Sequence, residues 1–322
     1  MTLQIDSKTI ERAAERINAY VHKTPVISSE NINSITGAQV FFKCENLQKA
    51  GAFKTRGAVN AVFSLSKEEL GNGVCTHSSG NHAAALARAA SLRNTKAYVV
   101  MPDNSSKVKI AAVKNYNGEI TFCTPNLASR EKTLKAIREK TGATEIHPYN
   151  DLRIIAGQAT AAKEFFGQIK QLDIVMAPVG GGGLLSGTAL STHFFSPETK
   201  VIAAEPKGAD DAFRSFYSSN FVPSENPRTI ADGLLTSLGS LTFPIIQKYV
   251  NSILTVSEES IVEAMKLIWE RTKLIVEPSS AVPLAAILEN KKGFFQKRVG
   301  IIISGGNVDL DNLPWNPALA QP

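Results

Sequence analysis

Lys54 lies in the run Gly51-Ala52-Phe53-Lys54-Thr55-Arg56-Gly57, where small residues and a phenylalanine crowd a cation. Burial penalises the charged form of a lysine and lowers its pKa, and a neutral amine attacks aldehydes. A second run, Gly180-Gly181-Gly182-Gly183, separates the apolar stretch 174–179 from a helical pattern over 184–195. A tight turn needs one or two glycines. Four in succession leave bare N–H groups that converge before a helix N-terminus and cradle an anion. The run is neither G-x-G-x-x-G nor a P-loop, since no Lys-Ser/Thr pair follows it.

An anion cradle and a crowded lysine together point to a phosphorylated aldehyde held as an imine, and pyridoxal phosphate is the candidate that fits both. Two further small, polar stretches end apolar runs: Ser78-Ser79-Gly80-Asn81-His82 and Ser304-Gly305-Gly306-Asn307. In parallel sheets ligands bind at the carboxyl ends of strands, where these turns would lie.

The elements that must position the turns alternate between short, β-branched strands and helices. Residues 7–20 place Ile10, Ala13, Ala14, Ile17 and Tyr20 on one helical stripe, with Ser7 as N-cap. Strands are expected over 40–43, 74–77, 97–101, 120–123, 174–179, 201–204 and 299–303. Helices are expected over 57–65, 83–92, 106–115, 129–140, 156–169 and 184–195. A further helix runs from a Ser257 cap through Ile261, Met265 and Ile268. Ser66-Lys67-Glu68-Glu69 reads as a capping box. The alternation predicts the α/β class, with two parallel or mostly parallel open sheets flanked by helices. One sheet belongs to a small domain over 73–149, the other to a large domain built from 1–72 and 150–322. Residues 218–227, rich in Ser, Asn and Pro, form the looser stretch.

The 322 residues are 43% hydrophobic and 20% charged, enough for one large or two medium domains. The net charge of +6 is scattered, and the tight basic pair Lys291-Lys292 has no aromatic interleaving. A solvated basic surface is favoured over a nucleic-acid partner. Cys44, Cys75 and Cys123 are odd in number and form no C-x-x-C or Cys/His cluster. That argues against a disulfide framework or zinc, and for a reducing compartment. The N-terminal residues show no signal-peptide pattern, and no uncharged stretch approaches the roughly 20 residues of a membrane span. No membrane partner is expected, and the cytoplasm is the expected location.

Five ordered stretches then carry a resemblance: Phe42-Lys43-Cys44-Glu45, Gly51 to Ala58, Ser78 to His82, Pro178 to Leu184, and Ser304 to Asp309. Over nearly its whole length the chain resembles the fold type II pyridoxal-phosphate enzymes, the tryptophan synthase β-like fold. Within that group it most resembles serine racemases and the related serine/threonine dehydratases. The resemblance implies that Lys54 carries the covalent link to the cofactor and that Gly180, Gly181, Gly182 and Gly183 hold its phosphate. Asn81 would bond the ring 3-oxygen, Phe53 would pack near the ring, and Ser304 would face the pyridine nitrogen. A serine donates to a neutral nitrogen, whereas an Asp would keep it protonated. The ring is then a weaker electron sink, which favours reprotonation or loss of a β-substituent over transamination. Glu277, in Glu277-Pro278-Ser279-Ser280, falls near the cofactor.

On the same basis Ser78, Ser79, Gly80, Asn81 and His82 would grip the substrate carboxylate, joined by Arg130 when the small, mobile domain closes. Racemisation takes a proton from one face of Cα and returns one on the other. Lys54 serves one face only, and Ser79 matches the serine that serves the other in serine racemases. Hydroxyaspartate dehydratases share that serine, whereas plain threonine dehydratases usually carry alanine. Glu205, the Ala209 carbonyl and Asp211 match a divalent-cation site, whose oxygen ligands suit Mg²⁺ or Ca²⁺, with Mn²⁺ as an alternative. A homodimer is also implied. Ala50 and Ala83-Ala84 depart from the pattern where animal members hold a nucleotide between subunits, which puts ATP activation in question. The expected activity is interconversion of L- and D-serine, with dehydration of serine to pyruvate and ammonia. The alternatives are dehydration of threo-3-hydroxyaspartate or threonine, and a non-catalytic protein that binds pyridoxal phosphate or amino acids. A hydroxyaspartate enzyme needs an extra cation for the β-carboxylate, and the sequence singles out none.

Overall fold

Asp6, not Ser7, caps the first helix, α1 (Ser7–Ile17): its carboxylate accepts the Thr9 N–H at 2.7 Å. In this computed structural model, which describes residues 5–105 and 107–316, the chain continues through β1 (Val26–Ser28), α2 (Glu30–Thr36), β2 (Gln39–Cys44), α3 (Lys54–Phe63) and α4 (Lys67–Gly71). Next come β3 (Val74–His77), α5 (Asn81–Leu92), β4 (Ala97–Pro102), α6 (Lys107–Asn115), β5 (Glu119–Cys123), α7 (Leu127–Thr141) and β6 (Thr144–Glu145). The second half holds α8 (Leu152–Gln168), β7 (Ile174–Pro178), α9 (Gly183–Phe195), β8 (Lys200–Pro206), α10 (Asp211–Ser218) and α11 (Thr242–Tyr249). It closes with β9 (Ser252–Val256), α12 (Glu258–Thr272), α13 (Pro278–Glu289), α14 (Lys291–Phe294) and β10 (Arg298–Ile303).

The strands form two sheets, ordered β1-β2-β10-β7-β8-β9 and β5-β4-β3-β6. Every pairing is parallel except β1 with β2, as the α/β expectation required. All five residues of β7 are buried, because helices cover both faces of the larger sheet. Helices α3 and α8 touch through glycines. A Cβ on Gly157 would lie 2.6 Å from the Gly57 Cα, so only glycine allows this approach. The contact explains why α3 begins at Lys54 rather than at Gly57: the glycine is a packing point inside the helix, not its start.

The capping box at Ser66 and Glu69 is present, and Ser257 caps α12. Ser106, the expected start of a helix, lies outside the described residues; α6 begins at Lys107. Among the elements that sequence periodicity misses are β1, β9, α2, α10, α11 and α13. Buried on nearly all sides, α13 shows no amphipathic stripe and carries Pro283. The three cysteines are buried and free, and burial pushes the Cys44 and Cys75 thiols up to about 12. No helix among the described residues is long and apolar enough to cross a membrane.

Candidate active site

Residues 50–53 lie against the end of β10. Phe53 N–H donates to the Ser304 carbonyl at 2.9 Å, Gly306 N–H to the Gly51 carbonyl at 2.9 Å, and Asn307 Nδ2 to the Ala50 carbonyl at 2.8 Å. Gly51 has φ +70°, and a Cβ there would lie 2.3 Å from Asn307 Oδ1. This seam delivers Lys54 at the first turn of α3. Its Nζ donates to the Pro148 carbonyl at 2.9 Å and sits 5.1 Å from the Phe53 ring centre. Burial pulls the amine down to about 8, against the opposing pull of the Glu277 carboxylate.

Two residues on, the fully buried Arg56 binds Glu45 through Nε at 2.7 Å and Nη2 at 2.8 Å. It also reaches Glu164 at 3.1 Å, which pairs with the buried Lys43. Two cations thus face two carboxylates. Burial works to raise the Glu45 carboxyl, and Arg56 overrides it, leaving it below the usual carboxylate range. This quartet ties α3 to β2 and α8 beneath the lysine.

The glycine turn links β7 to α9. Packing demands glycine at every position. A Cβ would meet the Leu234 Cα at 2.8 Å from Gly180, the Tyr149 ring at 2.3 Å from Gly181, and Tyr149 Cβ at 2.9 Å from Gly183. Gly182 adopts φ +85°. The glycines alone therefore do not mark an anion site, but the helix end supplies donors for one. The first helical bond is Ser186 N–H to the Gly182 carbonyl at 2.8 Å, so the amides of 183–185 precede the ladder and present donors to an anion.

The Ser78–Gly80 loop joins β3 to α5. Ser78 Oγ accepts the Gly80 N–H at 3.4 Å, while the half-buried Ser79 hydroxyl has no hydrogen-bond partner among the described residues. Asn81 is held between two other segments: its Nδ2 donates to both Glu277 oxygens at 3.0 Å, and its Oδ1 accepts from Asn307 at 2.9 Å. Burial raises Glu277 to about 7. His82 is buried with Nε2 3.1 Å from the Ile146 carbonyl, and burial drops it to about 3. It is therefore a neutral imidazole that braces the loop, with Nδ1 buried and unpartnered. Ser304 Oγ lies 2.9 Å from Ser280 Oγ, which donates to the Gly305 carbonyl at 2.7 Å. Ser304 is then the donor of that pair.

Four residues near these turns escaped the sequence reading: His77, His147, Tyr149 and Ser280. The His147 ring is edge-on to His77 at 5.7 Å and to Tyr149 at 4.6 Å. Burial lowers both imidazoles, His147 to about 4, and the Lys54 charge adds to the effect at His147. The Arg130 charge reaches His77, and Arg130 Nε is buried without a partner. His77 and His147 lie at and just past the carboxyl ends of β3 and β6, the signal that could have found them.

Glu205 is fully buried. Its two oxygens accept the Ala212 N–H at 3.1 Å and the Phe213 N–H at 2.8 Å, and burial lifts it to about 9. Asp211 is buried with both oxygens unpartnered, and burial lifts it to about 6. Among the described residues no group of three or more His, Cys, Asp or Glu is placed to hold a metal. The expected set has only two carboxylates and completes itself with the Ala209 carbonyl.

The pattern of the pyridoxal-phosphate dependent enzyme family matches residues 17–305. A beta-hydroxyaspartate dehydratase from Paracoccus denitrificans is 52% identical over 304 residues, covering 94% of this chain and 96% of that protein. A serine racemase from Dictyostelium discoideum is 51% identical over 313 residues, covering 95% and 96%. The crystal structure of the Dictyostelium racemase superposes with a TM-score of 0.91, covering 95% of this chain and 99% of that one.

Proposed function

The chain belongs to the pyridoxal-phosphate dependent enzyme family, and on that premise we propose that it interconverts L- and D-serine and dehydrates serine to pyruvate and ammonia. The supporting observation is a pKa-depressed amine at Lys54 together with a Ser79 hydroxyl that has no hydrogen-bond partner among the described residues. The residues fit the cofactor: a nucleophilic amine, the amides in the first turn of α9, a Ser304 hydroxyl that can turn its proton from Ser280 to the ring nitrogen, and an apolar ring at Phe53. Bound pyridoxal phosphate supplies an electron sink that acidifies the substrate Cα–H bond. Lys54 would hold its aldehyde carbon, the amides of 183–185 its phosphate, and Asn81, oriented by Glu277 and Asn307, its 3-oxygen.

Ser78, the amides at the start of α5 and Arg130 bind the substrate carboxylate, with His82 bracing the loop. The freed Lys54 amine takes the α-proton from its own side of Cα. The Ser79 hydroxyl gives a proton to the other side, which yields the opposite enantiomer. If the β-hydroxyl leaves instead, with a proton, water is lost, and hydrolysis of the remaining product gives pyruvate and ammonia. Such acid–base steps contribute roughly 10²–10⁴-fold. We place the domain division near 72/73 and 149/150, with the smaller body closing over the substrate.

Two buried carboxyl groups whose pKa values burial raises are the chemistry a divalent cation relieves. Glu205, Ala209 and Asp211 would hold Mg²⁺, Ca²⁺ or Mn²⁺ with water completing the shell. A cytoplasmic homodimer completes the reading. Purified protein incubated with L-serine should yield both D-serine and pyruvate; a cofactor-loaded sample yielding neither would sink the proposal.

A second reading is dehydration of threo-3-hydroxyaspartate. It is favoured by the Paracoccus relative, with Arg130 as the cationic group and the neutral His77 and His147 as hydrogen-bonding groups for a β-carboxylate. A substrate panel separates the two by the ratio of kcat/KM values.

A further inference from the structure

A cavity of about 220 Å³ opens between α1, α3 and α8, away from the turns described above. Arg12 and Arg16 from α1, Arg153 from α8, and the polar Thr9, Asn60 and Ser64 line it over an apolar floor. Arg12 and Arg16 stand four residues apart on one helix face, a spacing at which like charges repel. Among the described residues neither is within salt-bridge distance of a carboxylate. Arg16 Nη1 donates to Asn60 Oδ1 at 2.5 Å, and Arg12 Nε to the Lys8 carbonyl at 3.3 Å. Asp6, whose carboxylate feels the Arg12 charge, is committed to capping α1 through Thr9. Arg153 pairs with Asp151 at 2.6 Å. Arg153 therefore has a close carboxylate partner, whereas Arg12 and Arg16 have none within salt-bridge distance among the described residues.

The wall is built rather than incidental. Asn60 is 3% exposed, and its Nδ2 donates to the Arg153 carbonyl at 2.6 Å. That bond fixes which way its amide points and presents Oδ1 to Arg16. Arg16 is thereby pinned to the cavity, and its remaining N–H groups have no partner among the described residues and can serve a ligand. We propose that this cavity binds a small oxyanion of two or more charges, a phosphate or a polycarboxylate, gripped by Arg12 and Arg16 in the bidentate manner of guanidinium groups. Its occupant would fasten α1 to the far end of the helix that begins at Lys54.

The test is calorimetric titration of the cofactor-loaded enzyme, in which the glycine turn is already filled. The probes are inorganic phosphate, pyrophosphate and citrate, with sodium chloride at matched ionic strength as control. One saturable site per chain is expected, with Kd at least tenfold weaker in Arg12→Gln and in Arg16→Gln, partly restored in Arg12→Lys, and serine turnover unchanged in all three. The tightest-binding probe distinguishes a phosphate from a carboxylate ligand. Should Arg16→Gln lose its fold through Asn60, Arg12→Gln carries the test alone. Absence of saturable binding, a chloride effect of equal size, or an unchanged Kd in Arg12→Gln overturns the proposal.

Discussion

The Lys54 amine donates to the Pro148 carbonyl at 2.9 Å, anchoring the nucleophile on α3 to the turn that leaves the four-stranded sheet. Burial holds that amine near 8, and only its neutral form attacks an aldehyde. Cofactor capture by the apoenzyme should therefore speed up about tenfold per pH unit below 8 and level off above it. A capture rate that climbs on toward the ordinary lysine value of 10.5, followed by visible absorbance, would refute this.

Glu277 has the opposite shift. Its folded-state pKa is raised from 4.5 to about 7 by burial, so its contribution to stability is full below 4.5 and lost as pH rises through about 7. Glu277→Gln apoenzyme should show a flatter stability profile across that window in urea unfolding. The amide keeps a carbonyl oxygen for Asn81, so the difference reads the charge rather than the contact.

Ser79→Ala should lose at least about 100-fold in racemisation of L-serine while L-serine dehydration persists, because only the return of a proton on the second face needs that hydroxyl. Simultaneous assay of D-serine and pyruvate decides it. Equal loss of both products would mean that Ser79 acts in substrate binding instead.

Arg56→Met should destabilise the fold by about 3–5 kcal/mol, since it leaves Glu45 buried without its main partner. Arg56→Lys should recover part of the loss, because a single ammonium cannot reproduce the two bonds at 2.7 and 2.8 Å. Chemical denaturation of both variants gives the comparison.

EDTA should lower the Tm of the purified enzyme, and added Mg²⁺ should restore it, if Glu205, Ala209 and Asp211 hold a cation. An unmoved Tm in both steps would remove the metal from the account.

The turns that end strands were legible in the sequence because their demands are local. Gly51 and Gly182 need positive φ, and Ser66 finds Glu69 three residues away. What could not be read depends on segments that meet only in the fold. Asn81 and Glu277 are 196 residues apart, and the Tyr149 ring finds Gly181 only after the two sheets are assembled. The four glycines also have a second cause that the sequence could not show. Leu234 and Tyr149 press on the backbone and demand glycine whatever the turn holds.

The placement of β10 has a consequence for biosynthesis. It is the last described strand to be translated, yet it lies between β2 and β7 in the larger sheet. While the ribosome is still making residues 298–303, β2 has no parallel neighbour and offers an open strand edge to other chains. Assembly of the larger sheet, and with it the seam that presents Lys54, must wait until β10 has been made. Nascent chains should thus depend on chaperones until β10 emerges, and a stop codon before β10 should yield an aggregating fragment rather than a smaller enzyme.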